Sequence, residues 1–295
     1  MISLQQLQKG NTKVLARTIS LIENEAGDYY NILMQLPFSN TKITGITGPP
    51  GAGKSTLADA LIGELVAKNK KVGVLCVDPS SPFNLGALLG DRIRMSEWYN
   101  HPDVFIRSLA TRGSLGGLHP KIIEITDVMK TAPFDHIIIE TVGVGQSEVE
   151  IAGLADTTIV VVVPEGGDEV QTMKAGLMEI ADIFVVNKAD RPGADEFTKN
   201  LQLMLAPAFH RTDHRIPVLK TIASQKQGIA ELMNTVTEHQ EHLLTSEKKY
   251  WLLAEKAYQL IKEKRMHDVQ KEVLKKEIER QQLPDFNLYR FVKNY

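Results

Sequence analysis

The stretch "GITGPPGAGKSTL", residues 45–57, constrains this chain more than any other. An apolar run over residues 43–47 ends in a glycine- and proline-rich loop. A helix is predicted over residues 55–66 directly after it. Gly48, Gly53, Lys54 and Ser55 satisfy G-x-x-x-x-G-K-[ST] in the strand–loop–helix context that the pattern requires. Glycines let backbone N–H groups turn inward around phosphate oxygens with no Cβ in the way. The helix N-terminus adds its partial positive charge. The loop, Gly48, Pro49, Pro50, Gly51, Ala52 and Gly53, with Lys54, Ser55 and Thr56, is the expected phosphate cradle. Lys54 is expected to bridge the β- and γ-phosphates and Ser55 Oγ to bind Mg²⁺.

A phosphate loop of this kind needs a parallel sheet behind it. Seven short apolar runs supply one: "KITGITG", "KVGVLCVD", "VFIRSLA", "HIIIET", "TTIVVVVP", "DIFVVN" and "IPVLKT". Helical stretches separate them. Continuous apolar strands alternating with helices predict an α/β fold, a mostly parallel sheet with helices on both faces. Residues 1–40 read as a helical N-terminal extension, residues 41–245 as the nucleotide-binding domain, and residues 246–295 as a C-terminal helical arm. Within the arm, residues 246–281 read as one long charged helix, with Tyr250, Leu253, Ala257 and Leu260 along an apolar seam. The arm is either solvated or packed on another subunit.

Mg²⁺ prefers hard oxygen ligands and keeps several waters. Acids at strand ends near the loop are the candidates. Asp78 ends "VGVLCVD", Glu140 ends "HIIIE" and Asp91 lies in "LGDRIRM". A second constellation follows "DIFVV": Asn187, Lys188 and Asp190, in the pattern N-K-x-D. Guanine offers two donors on one edge, and a carboxylate accepts both; adenine has no such pair. Asp190 is therefore expected to select guanine, with Lys188 along the base plane and Asn187 bracing the loop. "KTIAS", residues 220–224, follows the next run, and Ala223 is expected to offer its N–H to the guanine oxygen. GTP and GDP are the expected nucleotides.

The bulk properties exclude other classes. Thirty-four Lys and Arg against 36 Asp and Glu leave a formal charge of -2, against a nucleic-acid-coating protein. No apolar run reaches bilayer-spanning length. "MISLQQLQKG" lacks the build of a secretory signal, and the lone Cys76 sits inside an apolar strand, so a cytoplasmic protein is expected. "FHRTDHR", with His210, Asp213 and His214, reads as a solvated loop rather than a metal site.

Taken in order, "GPPGAGKST", "VDPSSP", "LGDRIRM", "TRGSLGGL", "ETVGVGQSEVE", "VVVPEGGDEVQTMKAG" and "NKAD" resemble the MeaB/ArgK family of P-loop GTPases. The resemblance covers most of residues 14–245. It implies a GTP-hydrolysing chaperone of an adenosylcobalamin-dependent acyl-CoA mutase such as methylmalonyl-CoA mutase. Gating of cofactor loading, and protection or reactivation of the mutase, come with it. So does a homodimer in which the C-terminal arm takes part, with a cobalamin adenosyltransferase as a further candidate partner. An older description of the family, as kinases of an amino-acid transport system, and a metal-delivery GTPase stay as alternatives. Beside the D-x-x-G of many small GTPases, this chain has E-x-x-G, from Glu140 to Gly143. Gly143 N–H is expected to sense the γ-phosphate. Val144 follows where small GTPases carry their water-orienting glutamine, so slow hydrolysis without a partner is expected. Residues 113–118, "GSLGGL", resemble a nucleotide-responsive loop. Residues 165–174 resemble the family's additional switch, in which Asp168, Gln171 and Lys174 couple hydrolysis to the mutase.

Overall fold

The structure, a computed structural model, describes residues 3–78, 95–111, 118–141, 150–165, 175–206, 216–243, 248–266, 268–280 and 288–293. Its centre is a seven-stranded sheet in the order β3-β2-β4-β1-β5-β6-β7. The strands are β1 (Lys42–Thr47), β2 (Val72–Asp78), β3 (Val104–Ala110), β4 (His136–Glu140), β5 (Thr157–Val162), β6 (Ile183–Val186) and β7 (Val218–Lys220). Every pairing is parallel. Each of the seven apolar runs is one of these strands. Burial on both faces lets the inner five, β2, β4, β1, β5 and β6, be largely apolar rather than alternating, while the edge strands β3 and β7 are only partly buried.

Side chains alternate between the two faces. Ile46, Val74, Cys76, Ile138, Ile159, Val161 and Val185 face one way. Onto them pack Leu57, Leu61 and Leu65 of α4 (Lys54–Ala67), with Leu232 and Val236 of α8 (Ile229–Leu243). The opposite face carries Ile43, Leu75, Val77, Leu109, Ile137 and Ile139. These meet Leu15, Ile19 and Ile22 of α2 (Thr12–Glu23) and Ile125, Val128 and Met129 of α5 (Ile122–Thr131). Further along that face, Val160, Val162, Phe184 and Val186 pack on Leu177 of α6 (Ala175–Ile180) and on Phe197, Leu201 and Leu205 of α7 (Ala194–Leu205). The N-terminal helices, α1 (Leu4–Gln8), α2 and α3 (Tyr29–Leu33), therefore share a core with the sheet, since Leu7 is in the same cluster as Ile137.

The chain divides into two compact units, Met1–Lys249 and Tyr250–Tyr295. The stretch expected to be one long helix is two: α9 (Lys248–Met266) and α10 (Lys271–Arg280). Val269 N bonds Met266 O at 3.0 Å, and Leu274 N bonds Gln270 O at 3.0 Å, which ends the first helix and restarts the second. Asp268 at the break is a poor helix former because its carboxylate competes for local backbone groups. A last short helix, α11 (Leu288–Val292), follows. No described helix is long and apolar enough to cross a membrane.

Candidate nucleotide site

In an open parallel sheet the ligand crevice lies beyond the C-terminal strand ends, where the strand order reverses. Here that point is β1, with β4 on one side and β5 on the other. The loop after β1 turns through Gly48, Gly51 and Gly53, all at positive φ (139°, 76° and 91°). A Cβ on Gly48 would stand 2.1 Å from Val161 O, so only glycine fits against β5. Gly53 is constrained by a second loop: a Cβ there would meet Asn187 Nδ2 at 2.4 Å. Lys54 Nζ donates to Gly48 O at 2.8 Å and Pro49 O at 3.1 Å, which folds the ammonium over the loop.

Ser55 and Glu140 are brought together. Ser55 Oγ donates to Glu140 Oε1 at 2.5 Å, and both residues are buried. The sheet register explains the meeting. Glu140 shares a face with Ile138, and Ile138 faces α4, whose second residue is Ser55. Asp78 lies on that face too, two residues beyond Cys76, the residue that pairs with Glu140. Asp78 O also accepts from Thr111 N at 3.0 Å, tying the end of β2 to the end of β3. Thr141 Oγ1, one residue past Glu140, donates to Thr47 Oγ1 at 3.0 Å, just before the phosphate loop begins. Ser55 and Glu140 thus bring two hard-oxygen groups into contact, with Asp78 on the same face of the sheet at the end of the neighbouring strand. Asp91 and Gly143 lie outside the described residues.

The base side is organised by Asn187, buried at the end of β6. Its Nδ2 donates to Ala52 O at 2.9 Å. Its Oδ1 accepts from Thr221 Oγ1 and from Ala223 N, both at 3.1 Å. One carboxamide thus joins the phosphate loop, the loop after β6 and the loop after β7. The Ala223 N–H, expected on a guanine oxygen, is engaged by Asn187 in this arrangement. Lys188 has a left-handed backbone, φ 55°, and its Nζ donates to Gly51 O at 2.8 Å. Ala189 N bonds Thr221 O at 3.0 Å, and Asp190 is exposed at the loop tip.

Two contacts had no signal in the local pattern. Thr221 completes the Asn187 brace from a strand end remote in sequence. Arg191 Nη1 pairs with Glu165, whose carboxyl the guanidinium hydrogen bond holds below its usual range. That pair links the loop after β6 to the end of the described residues after β5. Asp168, Gln171 and Lys174 fall just beyond, outside the described residues, as do residues 113–117 and His210, Asp213 and His214.

Comparison with known proteins places these features. A protein of Pyrococcus abyssi named as a GTPase is 50% identical over 245 residues, 81% of this chain and 76% of that one. The GTPase ArgK of Escherichia coli is 37% identical over 258 residues, 83% of this chain and 77% of its own length. Among solved structures, one described as an LAO/AO transport system kinase superposes with a TM-score of 0.69 at 27% identity. It covers 90% of this chain and 83% of its own. The family described as methylmalonyl-CoA mutase-associated GTPase MeaB matches residues 15–279. A P-loop under an all-parallel sheet, a guanine-type N-K-x-D loop hydrogen-bonded to it, and a match along nearly the whole chain make this protein a member of the MeaB family of GTPases.

Proposed function

We propose that this GTPase is a chaperone of an adenosylcobalamin-dependent acyl-CoA mutase of the methylmalonyl-CoA mutase type. It gates cofactor loading, and protects or reactivates the mutase, through its own GTP cycle. The observation that carries the guanine half of the reading is the Asn187 brace, which fixes the base loop to the phosphate loop through Ala52 O. The mutase half rests on the family to which the chain belongs.

In this reading Asp190 accepts the N1–H and exocyclic amine of guanine, and Lys188 lies along the base. Lys54 exchanges its bonds to Gly48 O and Pro49 O for phosphate oxygens. Ser55 Oγ would hold Mg²⁺, with Asp78 and Asp91 the acids that would reach it directly or through water and Glu140 the one that would reach it through water. Mg²⁺, when bound, neutralises charge developing on the phosphates. Glu140 is one methylene longer than aspartate, so it would reach Mg²⁺ through a water, or a catalytic water, rather than bind the ion directly. Gly143 N–H senses the γ-phosphate, and Asp168, Gln171 and Lys174 pass its loss to the mutase. The mutase must bind the two nucleotide states unequally, since otherwise hydrolysis transmits nothing. Two copies pair through the C-terminal arm.

The test is turnover of GTP by the purified protein, alone and with an adenosylcobalamin-dependent acyl-CoA mutase, with ATP as control. Slow GTP hydrolysis, accelerated by the mutase and absent with ATP, is the expected result. Glu140→Gln is expected to keep GTP affinity and to lose hydrolysis by roughly tenfold or more, the scale of a misplaced metal or water. Equal use of ATP, no effect of the mutase, or parental turnover by Glu140→Gln would each remove the part of the reading it addresses.

A further inference from the structure

The hydrogen bond between Thr141 and Thr47 joins the two strand ends on which the proposed chemistry rests. Strands β1 and β4 lie side by side, and the register that pairs Ile46 with Glu140 brings Thr47 beside Thr141. Thr141 N carries the ladder past the end of β4, donating to Ile46 O at 3.0 Å. Thr141 Oγ1 then donates to Thr47 Oγ1 at 3.0 Å, and both side chains are buried. Each threonine adjoins a residue of the site. Thr141 follows Glu140, whose carboxylate takes Ser55 Oγ. Thr47 precedes Gly48, whose carbonyl takes Lys54 Nζ.

Packing does not explain the choice of threonine. Side chains 43, 45 and 47 of β1, and 137, 139 and 141 in and just past β4, alternate onto one face of the sheet. Ile43, Ile137 and Ile139 there are apolar core. Ile151 and Ala155 close against this face at Gly45, where a Cβ would stand 2.4 Å from Ile151 Cγ1. A hydroxyl buried in such surroundings costs stability unless it is hydrogen-bonded. Exchanging both partners for apolar groups of the same shape is close to neutral or stabilising. Two valines would therefore fill the space as well. What the hydroxyls supply and methyls would not is a directional link, because a hydrogen bond fixes distance and angle whereas apolar contact has no direction. From the other side, Gly48 lies tight against β5, with no room for a Cβ beside Val161 O. The entry to the phosphate loop is thus held by close contact with β5 and by the threonine pair to β4.

We propose that Thr47 and Thr141 are positioning residues for GTP hydrolysis. They act through their neighbours Gly48 and Glu140. Their hydrogen bond fixes the acid against the loop that carries Lys54, so that carboxylate and ammonium address the same phosphates from set positions. The inference rests on the reading of Lys54 and Glu140 as parts of a GTP site.

Hydroxyl and methyl can be removed separately, which separates positioning from stability. Thr141→Val keeps the shape and loses the hydrogen bond. Thr141→Ser keeps the hydroxyl and loses a buried methyl. Steady-state GTP hydrolysis of the full chain is compared with Tm for the parent, these two variants, Thr47→Val and the double variant Thr47→Val/Thr141→Val. The double variant is expected to melt at or above the parental Tm. Its KM should be unchanged and its kcat lower by about fivefold, inside the range that coupled neighbouring groups show. Each single valine variant should lose kcat by the same factor, since the same one bond is lost in all three. Thr141→Ser is expected to melt lower than the parent yet keep near-parental kcat. Parental kcat in the double variant would overturn the proposal. So would single losses that multiply in the double variant, or a kcat that follows Tm across the set. An active parent beside unaltered variants sinks only this inference, whereas a parent that does not hydrolyse GTP overturns it together with the proposed roles of Lys54 and Glu140.

Discussion

The carboxamide of Asn187 makes three buried hydrogen bonds to two other loops, to Ala52 O in the phosphate loop and to Thr221 Oγ1 and Ala223 N after β7. Truncation to alanine leaves each of these groups without its Asn187 partner in a site that excludes water. Stranded buried donors and acceptors cost about 1–3 kcal/mol each, less whatever local relaxation recovers. Asn187→Ala is therefore expected to lower stability by about 3 kcal/mol and to weaken GDP binding, since the phosphate and base loops lose their common anchor. Thermal unfolding with and without GDP checks both. A parental melting temperature would mean that the loops hold their shape without the brace. At this scale much of the site was readable, because strand-end position fixes what a residue can reach. Glu140 at the end of "HIIIE" and Ser55 at the start of α4 had to meet once the sheet formed, and they do, at 2.5 Å. The Ala223 amide was not readable in the same way. Which acceptor it finds depends on a side chain 36 positions away, and sequence spacing carries no information about that.

The elements repeat this contrast at larger size. The strands were legible because two-sided burial leaves a plain record of consecutive apolar residues. The break between α9 and α10 was not, because charged residues spaced for a helix look the same on either side of a chain reversal or a kink. Polar side chains between elements were also hidden. At the start of β4, His136 Nε2 lies 2.8 Å from Thr44 Oγ1 of β1, and that oxygen accepts from Gln240 Nε2 of α8 at 3.2 Å. This buried seam ties α8 to the central strands β1 and β4, towards the strand ends opposite the phosphate loop. Burial pushes the His136 pKa down from 6.5 to about 4, against the pull of Asp156 and Asp135 and with the help of Lys42. The unfolded chain thus binds the proton more readily than the folded one. Stability from neutral His136 is complete above about pH 6.5 and falls as the pH drops towards 4, by about 3 kcal/mol in total. Melting temperatures measured from pH 7.5 to 4.5 should decline along this stretch. In His136→Gln the decline should be shallower, and an equal slope in the two proteins would locate the acid sensitivity elsewhere.

For the whole molecule, the informative division is the one after Lys249. Every described strand and the three buried clusters belong to the first unit. So do Lys54, Ser55, Asp78, Glu140, Asn187, Lys188 and Asp190. The second unit carries a different surface, with Tyr250, Trp251, Leu253, Tyr258 and Ile261 of α9 all exposed. Exposed aromatic and aliphatic side chains gathered on one element mark a contact with another molecule more often than a solvated surface. Aromatics of this kind are also the residues that dominate association energy. The two units should therefore separate by function. A chain ending at Lys249 is expected to fold, to bind GDP with parental affinity and to sediment as a monomer, while the full chain sediments as a dimer. Replacement of Tyr250, Trp251 and Tyr258 by serine in the full chain should give the same monomer without removing any helix. Sedimentation velocity across a tenfold range of concentration, with GDP titrations on the same samples, reads both properties at once. A monomeric full chain would assign the aromatic surface to the mutase instead. A truncated chain that stays dimeric would move the subunit contact onto the first unit, where Tyr30, Met34 and Phe38 are the exposed apolar residues near α3.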